Sequence, residues 1–130
     1  MPKRLLVYVL GDITKETCLH LQSFPKPGQE HPVVTVEWRL GGSAFDTAAA
    51  LVRLRVPCGV IGRVGKDNEG LVALREMTKM GIGTGAVQKD PDRPTGFCII
   101  PVTTDGQRTR LEARGANVEL ALDGVREVLR

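Results

Sequence analysis

Aromatic residues are scarce in this sequence of 130 residues: they make up 4% of it, with one Trp and one Tyr. Proteins that bind single-stranded nucleic acid stack bases on aromatic side chains, and nucleic-acid partners in general call for clustered Lys and Arg. The formal net charge is only +3, and the basic residues are spread along the chain. We therefore expect no nucleic-acid partner.

Cysteine and histidine are equally sparse and show no ligand spacing. Cys18, Cys58 and Cys98 form no C-x-x-C pair, and His20 and His31 stand apart from any Cys or carboxylate cluster. A disulfide scaffold needs more cysteines in even number, and zinc needs closely spaced Cys and His. We expect no metal site, reduced thiols and a cytoplasmic location.

Long apolar runs are also missing. The opening MPKRLLVYVLGD contains an apolar run that is too short for a signal peptide, and no run approaches the roughly 20 residues of a transmembrane helix. We expect no membrane partner. The hydrophobic fraction of 42% and the charged fraction of 25% are instead ordinary for a globular domain, or for part of one.

Strand and helix patterns alternate along the chain. Residues 5–10 and 58–65 are apolar runs typical of strands covered on both faces of a parallel sheet. Helices are predicted over 44–54, over 67–81 with Asp67 as N-cap and Gly81 after the C-terminus, and over 121–130. This order predicts an α/β fold with a mainly parallel sheet and flanking helices.

Other segments predict a second, smaller sheet. VVTVEWRL at 33–40 alternates and is typical of a half-exposed antiparallel strand, and CLHLQSF at 18–24 is a short strand candidate. Two further strands, TGFCIIPVTT and QRTRLEA, join across Asp105-Gly106, a strong hairpin signal. Pro101 has no backbone donor, so its strand should lie at an edge or turn that nitrogen to solvent.

The stretch GGSAFD has two interpretations. Gly41 and Gly42 would let the backbone approach a ligand, and the helix that follows offers unpaired N–H groups to oxygen-rich ligands. Alternatively, Ser43 and Asp46 have the spacing of a capping box. It is not a P-loop, because no Gly-Lys-Ser/Thr follows. GRVGKD at 62–67 likewise lacks the third glycine of a dinucleotide fingerprint.

The stretch GDITKE at residues 11–16 also has two interpretations, a ligand contact and a turn. Asp12 follows a buried strand and Glu16 comes four residues later. Ligands of open α/β sheets bind at the carboxyl ends of strands, but Asp12 could instead close a turn through its own backbone. Residues alone leave both interpretations open.

Taken in order, the stretches GDITKE, LQSFPKPGQE, LGGSAFDTAAALVRL, IGRVGKDNEG, RPTG, DGQRTRL and RGAN resemble the ribokinase-like (PfkB-type) carbohydrate kinases from Leu5 to Arg130. The resemblance implies an α/β sandwich with a small antiparallel β-sheet lid over the sugar, whose strands fall within about 17–40 and 96–114. It further implies that 1–130 is a single incomplete domain, and that the lid sheet can form a homodimer.

Site residues also follow from the resemblance. The family's first sugar-contacting acid stands at Glu16, its diglycine at Gly41 and Gly42, and its helix-start polar residue at Asp46. Together with Asp12 these are the expected substrate-binding residues. The family more usually has Asp at the position of Glu16 and Asn at that of Asp46, so these departures change the sugar pocket.

The family's catalytic machinery is missing from the sequence. Its Gly-Ala-Gly-Asp motif, which holds the base and the anion hole, does not occur, and RGAN at 114–117 is a different motif. Phosphoryl transfer needs such positioning and charge neutralisation. We expect the sugar-binding and lid portion of an ATP-dependent kinase, with no catalytic residue here and with ATP and Mg²⁺ implied for the complete enzyme. The alternative is a non-catalytic truncated product or a sugar-binding or dimerising module.

Overall fold

The computed structural model describes residues 7–130. Within these residues the chain forms two sheets, three α-helices and one 3-10 helix. The strands are β1 Val7–Leu10, β2 Thr14–Leu21, β3 Thr35–Gly41, β4 Cys58–Gly65, β5 Val87–Asp90, β6 Gly96–Thr103 and β7 Leu111–Ala113. The helices are α1 Ser43–Arg53, α2 Asn68–Lys79, α3 Leu122–Val128 and the 3-10 helix Gly115–Glu119.

The first sheet is parallel and has the order β1-β4-β5. Its central strand β4 is almost wholly buried, as its apolar run predicts. Helices α1 and α2 share one core with one face of this strand, and the 3-10 helix also contacts β4. The α/β class with a parallel sheet is therefore confirmed. The main buried core residues are Ile13, Ala44, Ala48, Cys58, Val60, Val64, Ala73 and Met77.

Strand β1 differs from its prediction. Its first predicted residues, 5 and 6, lie outside the described residues. Val7 and Val9 pack against the core, but Tyr8 and Leu10 are 39% and 55% exposed. The prediction that both faces of this strand are covered is therefore wrong for β1, because alternate side chains point to opposite faces and only one face meets the core.

The second sheet, which we call the lid sheet, has the order β3-β2-β6-β7. β2 pairs antiparallel with β3, and β6 pairs antiparallel with β7, but β2 and β6 run parallel. The sheet is therefore mixed rather than wholly antiparallel. The strand predicted at 18–24 instead spans Thr14–Leu21, so Glu16 lies inside a strand.

Hairpin and capping predictions are largely confirmed. Gly106 takes φ 84° between β6 and β7, and Gly81 takes φ 82° directly after α2. Asp67 caps α2 by accepting the N–H of Gly70 at 2.8 Å. The edge-strand alternative for Pro101 is wrong, since β6 lies between β2 and β7. β7 pairs only with the first half of β6, so this pairing needs no backbone N–H donor at Pro101.

The lid sheet has two chemically different faces. Trp38, Thr17, Ile99 and Leu111 lie side by side on one face, which we call the apolar lid face. The opposite, ionic lid face carries Arg39, Glu16, Cys98 and Glu112 in the same order. Strand β3 was predicted to be half-exposed, yet residues 35–39 are exposed on both faces. No layer of the described chain covers its Val36 and Trp38 side chains.

Candidate functional site

The β1–β2 turn is fixed to the start of helix α1. Gly42 is the N-cap residue, with φ 97° and ψ 154°, and a Cβ there would lie 2.3 Å from the carbonyl oxygen of Asp12. That carbonyl accepts the N–H of Ala44 at 3.1 Å, and the N–H of Asp12 donates to Ser43 Oγ at 3.1 Å. Only glycine fits here, because any other residue would have both a strained φ and a clash.

Gly41 is required for a different reason. A Cβ at Gly41 would lie 2.4 Å from Cδ of Glu16, its neighbour across β2 and β3. The missing side chain therefore makes room for the Glu16 carboxylate. The diglycine thus joins two parts of the junction: Gly42 admits the β1–β2 turn, and Gly41 admits the acid of β2.

The Glu16 carboxylate is buried and doubly paired. Its side chain is 2% exposed, and it accepts hydrogen bonds from Arg39 Nη2 at 2.9 Å and from Arg110 Nη2 at 2.9 Å. Burial alone would raise the pKa of Glu16, but the hydrogen bonds and charges of Arg110 and Arg39 outweigh it and hold this pKa below its usual value. Glu16 is therefore ionised at neutral pH, and both its oxygens are engaged.

Asp46 is not a cap. Helix α1 has no side-chain capping hydrogen bond, and the N–H of Asp46 donates to the carbonyl of Gly42 at 2.9 Å. Ser43 cannot complete a capping box because its Oγ serves Asp12. The capping interpretation is therefore wrong. The Asp46 side chain is 50% exposed, and its ion pair with Arg39 is long, at 3.8 Å. It remains accessible to a ligand.

Asp12 is held by the RGAN segment. Both of its carboxylate oxygens accept from the Arg114 guanidinium, at 2.9 Å each. Asn117 then brackets Ile13: its Oδ1 accepts the Ile13 N–H and its Nδ2 donates to the Ile13 carbonyl, both at 2.9 Å. This hydrogen bonding fixes the β1–β2 turn from the side opposite to α1. The hydrogen bonds to Asp12 also raise the pKa of Arg114.

One buried polar group at the junction has no partner. Thr14 is fully buried between Gly41 and Gly96, and among the described residues its Oγ1 has no hydrogen-bond partner. An unpaired buried hydroxyl costs on the order of 1–3 kcal/mol, and such groups are rare unless a ligand or water completes them. The Thr14 hydroxyl is therefore a local energetic cost at the junction that the described contacts do not offset.

All five predicted site residues come together at this junction. Asp12 touches the start of α1, Glu16 lies over Gly41, and Arg39 links Glu16 to Asp46. The sequence analysis missed the arginines and gave no role to Asn117. RGAN had been singled out as a motif and was the available signal for Arg114 and Asn117. DGQRTRL likewise contained Arg110, but no pattern indicated its pairing with Glu16 or that of Arg39, because both pairings depend on how the strands associate.

Two other kinds of site are absent from the part of the chain that the structure describes. Across residues 7–130 there is no group of three or more His, Cys, Asp and Glu side chains that could hold a metal ion. No helix in that range is long and apolar enough to span a membrane. A cleft of about 450 Å³ between β3 and α1 is bordered by Arg39 and Asp46.

Comparisons of the sequence identify carbohydrate kinases among the relatives of this chain. An ATP-dependent ribose-1-phosphate kinase of Halopiger xanaduensis is 30% identical over 107 residues, which are 82% of this chain and 36% of the relative. A ribokinase of Haemophilus influenzae is 27% identical over 124 residues, 95% of this chain and 40% of that protein. The chain thus spans well under half the length of these relatives.

Solved structures show the same fold. A Thermotoga maritima ribokinase superposes with a TM-score of 0.82 at 26% identity, covering 92% of this chain and 39% of that one. Arabidopsis thaliana ribokinase, solved with ribose and ATP, gives a TM-score of 0.75 at 25% identity, covering 85% of this chain and 36% of that one. A family model described as pfkB family carbohydrate kinase matches residues 5–128. This chain therefore belongs to the pfkB family of carbohydrate kinases.

Proposed function

We propose that this chain forms the sugar-binding and lid portion of an ATP-dependent carbohydrate kinase, which transfers a phosphoryl group from ATP to a sugar hydroxyl. The observation that carries the proposal is the convergence of Asp12, Glu16, Gly41, Gly42 and Asp46 at one junction in a pfkB-family chain.

Each residue has a role in this proposal. Asp46 accepts a hydrogen bond from a sugar hydroxyl, because its carboxylate is half-exposed and does not cap the helix. Gly41 and Gly42 bring the backbone within reach of the sugar. Asp12 and Glu16 shape the pocket wall through their bound arginines. The lid sheet then shields the sugar from water, which strengthens these polar contacts.

ATP and Mg²⁺ belong to the proposed reaction but not to the described part of this chain. ATP supplies the phosphoryl group and Mg²⁺ neutralises its charge. No described residue cluster fits a metal ion, and the sequence contains no Gly-Ala-Gly-Asp. In this proposal the chain's own residues bind, orient and shield the sugar, and the groups for phosphoryl transfer are supplied from outside it. We also propose a cytoplasmic location, in keeping with three free cysteines.

We further propose a homodimer through the apolar lid face. Val36, Trp38, Phe97 and Leu111 on this face are 61%, 59%, 44% and 57% exposed. Exposed apolar side chains grouped on one sheet face are typical of a protein–protein contact. A second copy presents the same surface and can cover all four residues by twofold symmetry.

Calorimetric titration with D-ribose, together with an ADP-release assay on the same sample, tests the main proposal. We expect sugar binding without ADP release by this chain alone. ADP release by the chain alone would contradict the absence of catalytic groups, and no binding of ribose or of any other sugar would contradict the sugar site. The coding sequence after codon 130 tests the kinase itself. If it lacks Gly-Ala-Gly-Asp, the non-catalytic sugar-binding module is the better description.

A further inference from the structure

Two arginines from separate strands converge on one buried acid. Arg39 of β3 bonds Glu16 through Nε at 3.0 Å and Nη2 at 2.9 Å, and Arg110, which precedes β7, bonds the other oxygen at 2.9 Å. We call these three residues the arginine pair and its acid. Register places all three on the ionic lid face.

The burial of this cluster is one-sided. The Glu16 side chain is 2% exposed, whereas the side chains of Arg39 and Arg110 are 60% and 40% exposed. Guanidinium groups carry five N–H donors, and the acid uses only Nε and Nη2 of Arg39 and Nη2 of Arg110. The other N–H donors of both arginines make no hydrogen bond to Glu16, so the acid fixes the arginines and leaves these donors available.

The charge of the cluster is also unbalanced. Two guanidiniums bond one buried carboxylate, so Glu16 by itself offsets only one of their two charges. Two further carboxylates lie near the arginines without a hydrogen bond to them, and one of these is Asp46, 3.8 Å from Arg39. The other is Glu112 on the same face: the hydrogen bond to Glu16 raises the pKa of Arg110 most, and the charge of Glu112 raises it further. One arginine is enough to pair a buried carboxylate, so the second is not required for that purpose. Two guanidinium groups that are held in place and keep free N–H donors match the geometry of a phosphate or carboxylate.

We infer that Arg39 and Arg110 form an anion-binding subsite, so that the preferred substrate is a sugar bearing a phosphate or carboxylate group; this rests on the proposed function. The anionic group lies against the free guanidinium donors, and a hydroxyl of the same sugar reaches Asp46. Glu16 is then a positioning residue that holds the two arginines in place. It makes no hydroxyl contact, since both its oxygens are engaged.

The test is calorimetric titration of the full chain with D-ribose, ribose 1-phosphate, ribose 5-phosphate and ribonate. We expect at least one anionic sugar to bind about tenfold or more tightly than ribose. Arg39→Gln and Arg110→Gln should each weaken that anionic sugar by about 10- to 100-fold, because each removes charged hydrogen bonds. Both should weaken ribose by a clearly smaller factor than the anionic sugar. Arg75→Gln, an exposed arginine on α2, is the matched control and should change neither affinity.

The outcomes separate two kinds of failure. If ribose binds as tightly as every anionic sugar, or if the arginine variants weaken ribose equally, the anion subsite is overturned while the sugar site stands. If no ligand binds, the proposed function fails as well. The phosphate and ribonate arms identify which anion is preferred. Circular dichroism confirms that each variant is folded before titration.

Glu16→Gln gives a second, independent readout. The amide keeps the size of the side chain and removes the charge that offsets the arginines. We expect affinity for the anionic sugar to fall, but by less than in Arg39→Gln, because the amide oxygen still accepts from one arginine. A loss of ribose affinity of tenfold or more in this variant would mean that Glu16 contacts the sugar itself, and would overturn its positioning role.

Discussion

Strands β4 and β3 show how differently the two sheets of this chain are used. β4 is buried on both faces, and seven of its eight residues are almost completely buried. Residues 35–39 of β3 are instead exposed on both faces. Helices α1 and α2 and the 3-10 helix cover β4. No layer of the described chain does this for β3. We therefore expect the parallel sheet to contribute most of the stability, and we propose that the lid sheet provides surfaces for a ligand and for a second copy of the chain.

The acidic residues divide in the same way. Asp67 accepts from Gly70, from the Thr95 N–H and from the Thr95 hydroxyl, so it joins α2 to the start of β6. Asp46 makes no cap and keeps its carboxylate accessible. A carboxylate whose hydrogen bonds are satisfied inside the fold is structural. One that the fold orients but leaves open is available for binding.

The largest expected effect is in the core of the parallel-sheet half. Met77 is fully buried on α2, so Met77→Ala should lower the free energy of unfolding by about 2–5 kcal/mol through lost burial and a cavity. Val36→Ala in β3, where the side chain is 61% exposed, should change it by less than about 0.5 kcal/mol. Urea denaturation at low protein concentration measures both. Equal losses would mean that the two sheets contribute equally.

Next in size is the junction between the halves. Gly42→Ala should cost about 1–3 kcal/mol, because φ 97° is strained for alanine and its Cβ would meet the Asp12 carbonyl. Gly85→Ala is the matched control: a Cβ there meets nothing within 4 Å. Thermal or urea unfolding compares the two. A Gly42→Ala protein as stable as the Gly85→Ala protein would show that the turn does not depend on this close approach.

The apolar lid face predicts a smaller effect that depends on concentration. Trp38→Asp should raise the dimer dissociation constant by about tenfold or more, since it buries a charge at the proposed contact. Leu71→Asp on the exposed side of α2 is the control, with a parent side chain 46% exposed. Sedimentation velocity reads out the association. If the wild-type chain stays monomeric at high protein concentration, the proposed homodimer is contradicted.

The smallest effect is in the pH dependence of the scaffold. Hydrogen bonds from the N–H groups of Arg93 and Asp92, and then from Arg63, lower the pKa of Asp90 from 3.8 to about 2. A folded pKa below the unfolded one gives stability that is present above pH 4 and is lost as pH falls towards 2. Asp90→Asn should therefore lose less stability than the wild type over this window. Parallel curves from acid titrations followed by circular dichroism would contradict this role.

The sequence was sufficient for the features that local chemistry decides. The apolar run of β4, the Asp67 cap and the Asp105-Gly106 hairpin all follow from short-range rules, and the structure confirms each. It could not give the parallel pairing of β2 with β6, which joins residues about 80 positions apart in the chain. For the same reason it missed Arg110 beside Glu16, a contact that exists only once that pairing is made.

Candidate-site residues show the same limit. The spacing of Ser43 and Asp46 could not distinguish a capping box from a ligand contact of Asp46, because the same spacing is compatible with both. The choice depends on Asp12, whose N–H takes the Ser43 hydroxyl across the turn. The family resemblance named the residues that meet at the junction. It could not show that Glu16, one methylene longer than the usual Asp, would be engaged by two arginines.

Chemical-shift mapping of the ¹⁵N-labelled chain during titration with ribose and ribose 5-phosphate tests the central claim most directly. Each ligand, on binding, should perturb the amide resonances of residues 12–16 and 41–46. The phosphorylated sugar should also shift the guanidinium resonances of Arg39 and Arg110. Amides of α2 should not move. Shifts confined to α2 or the β4–β5 end of the molecule, or no shifts with any sugar, would contradict a sugar site at this junction.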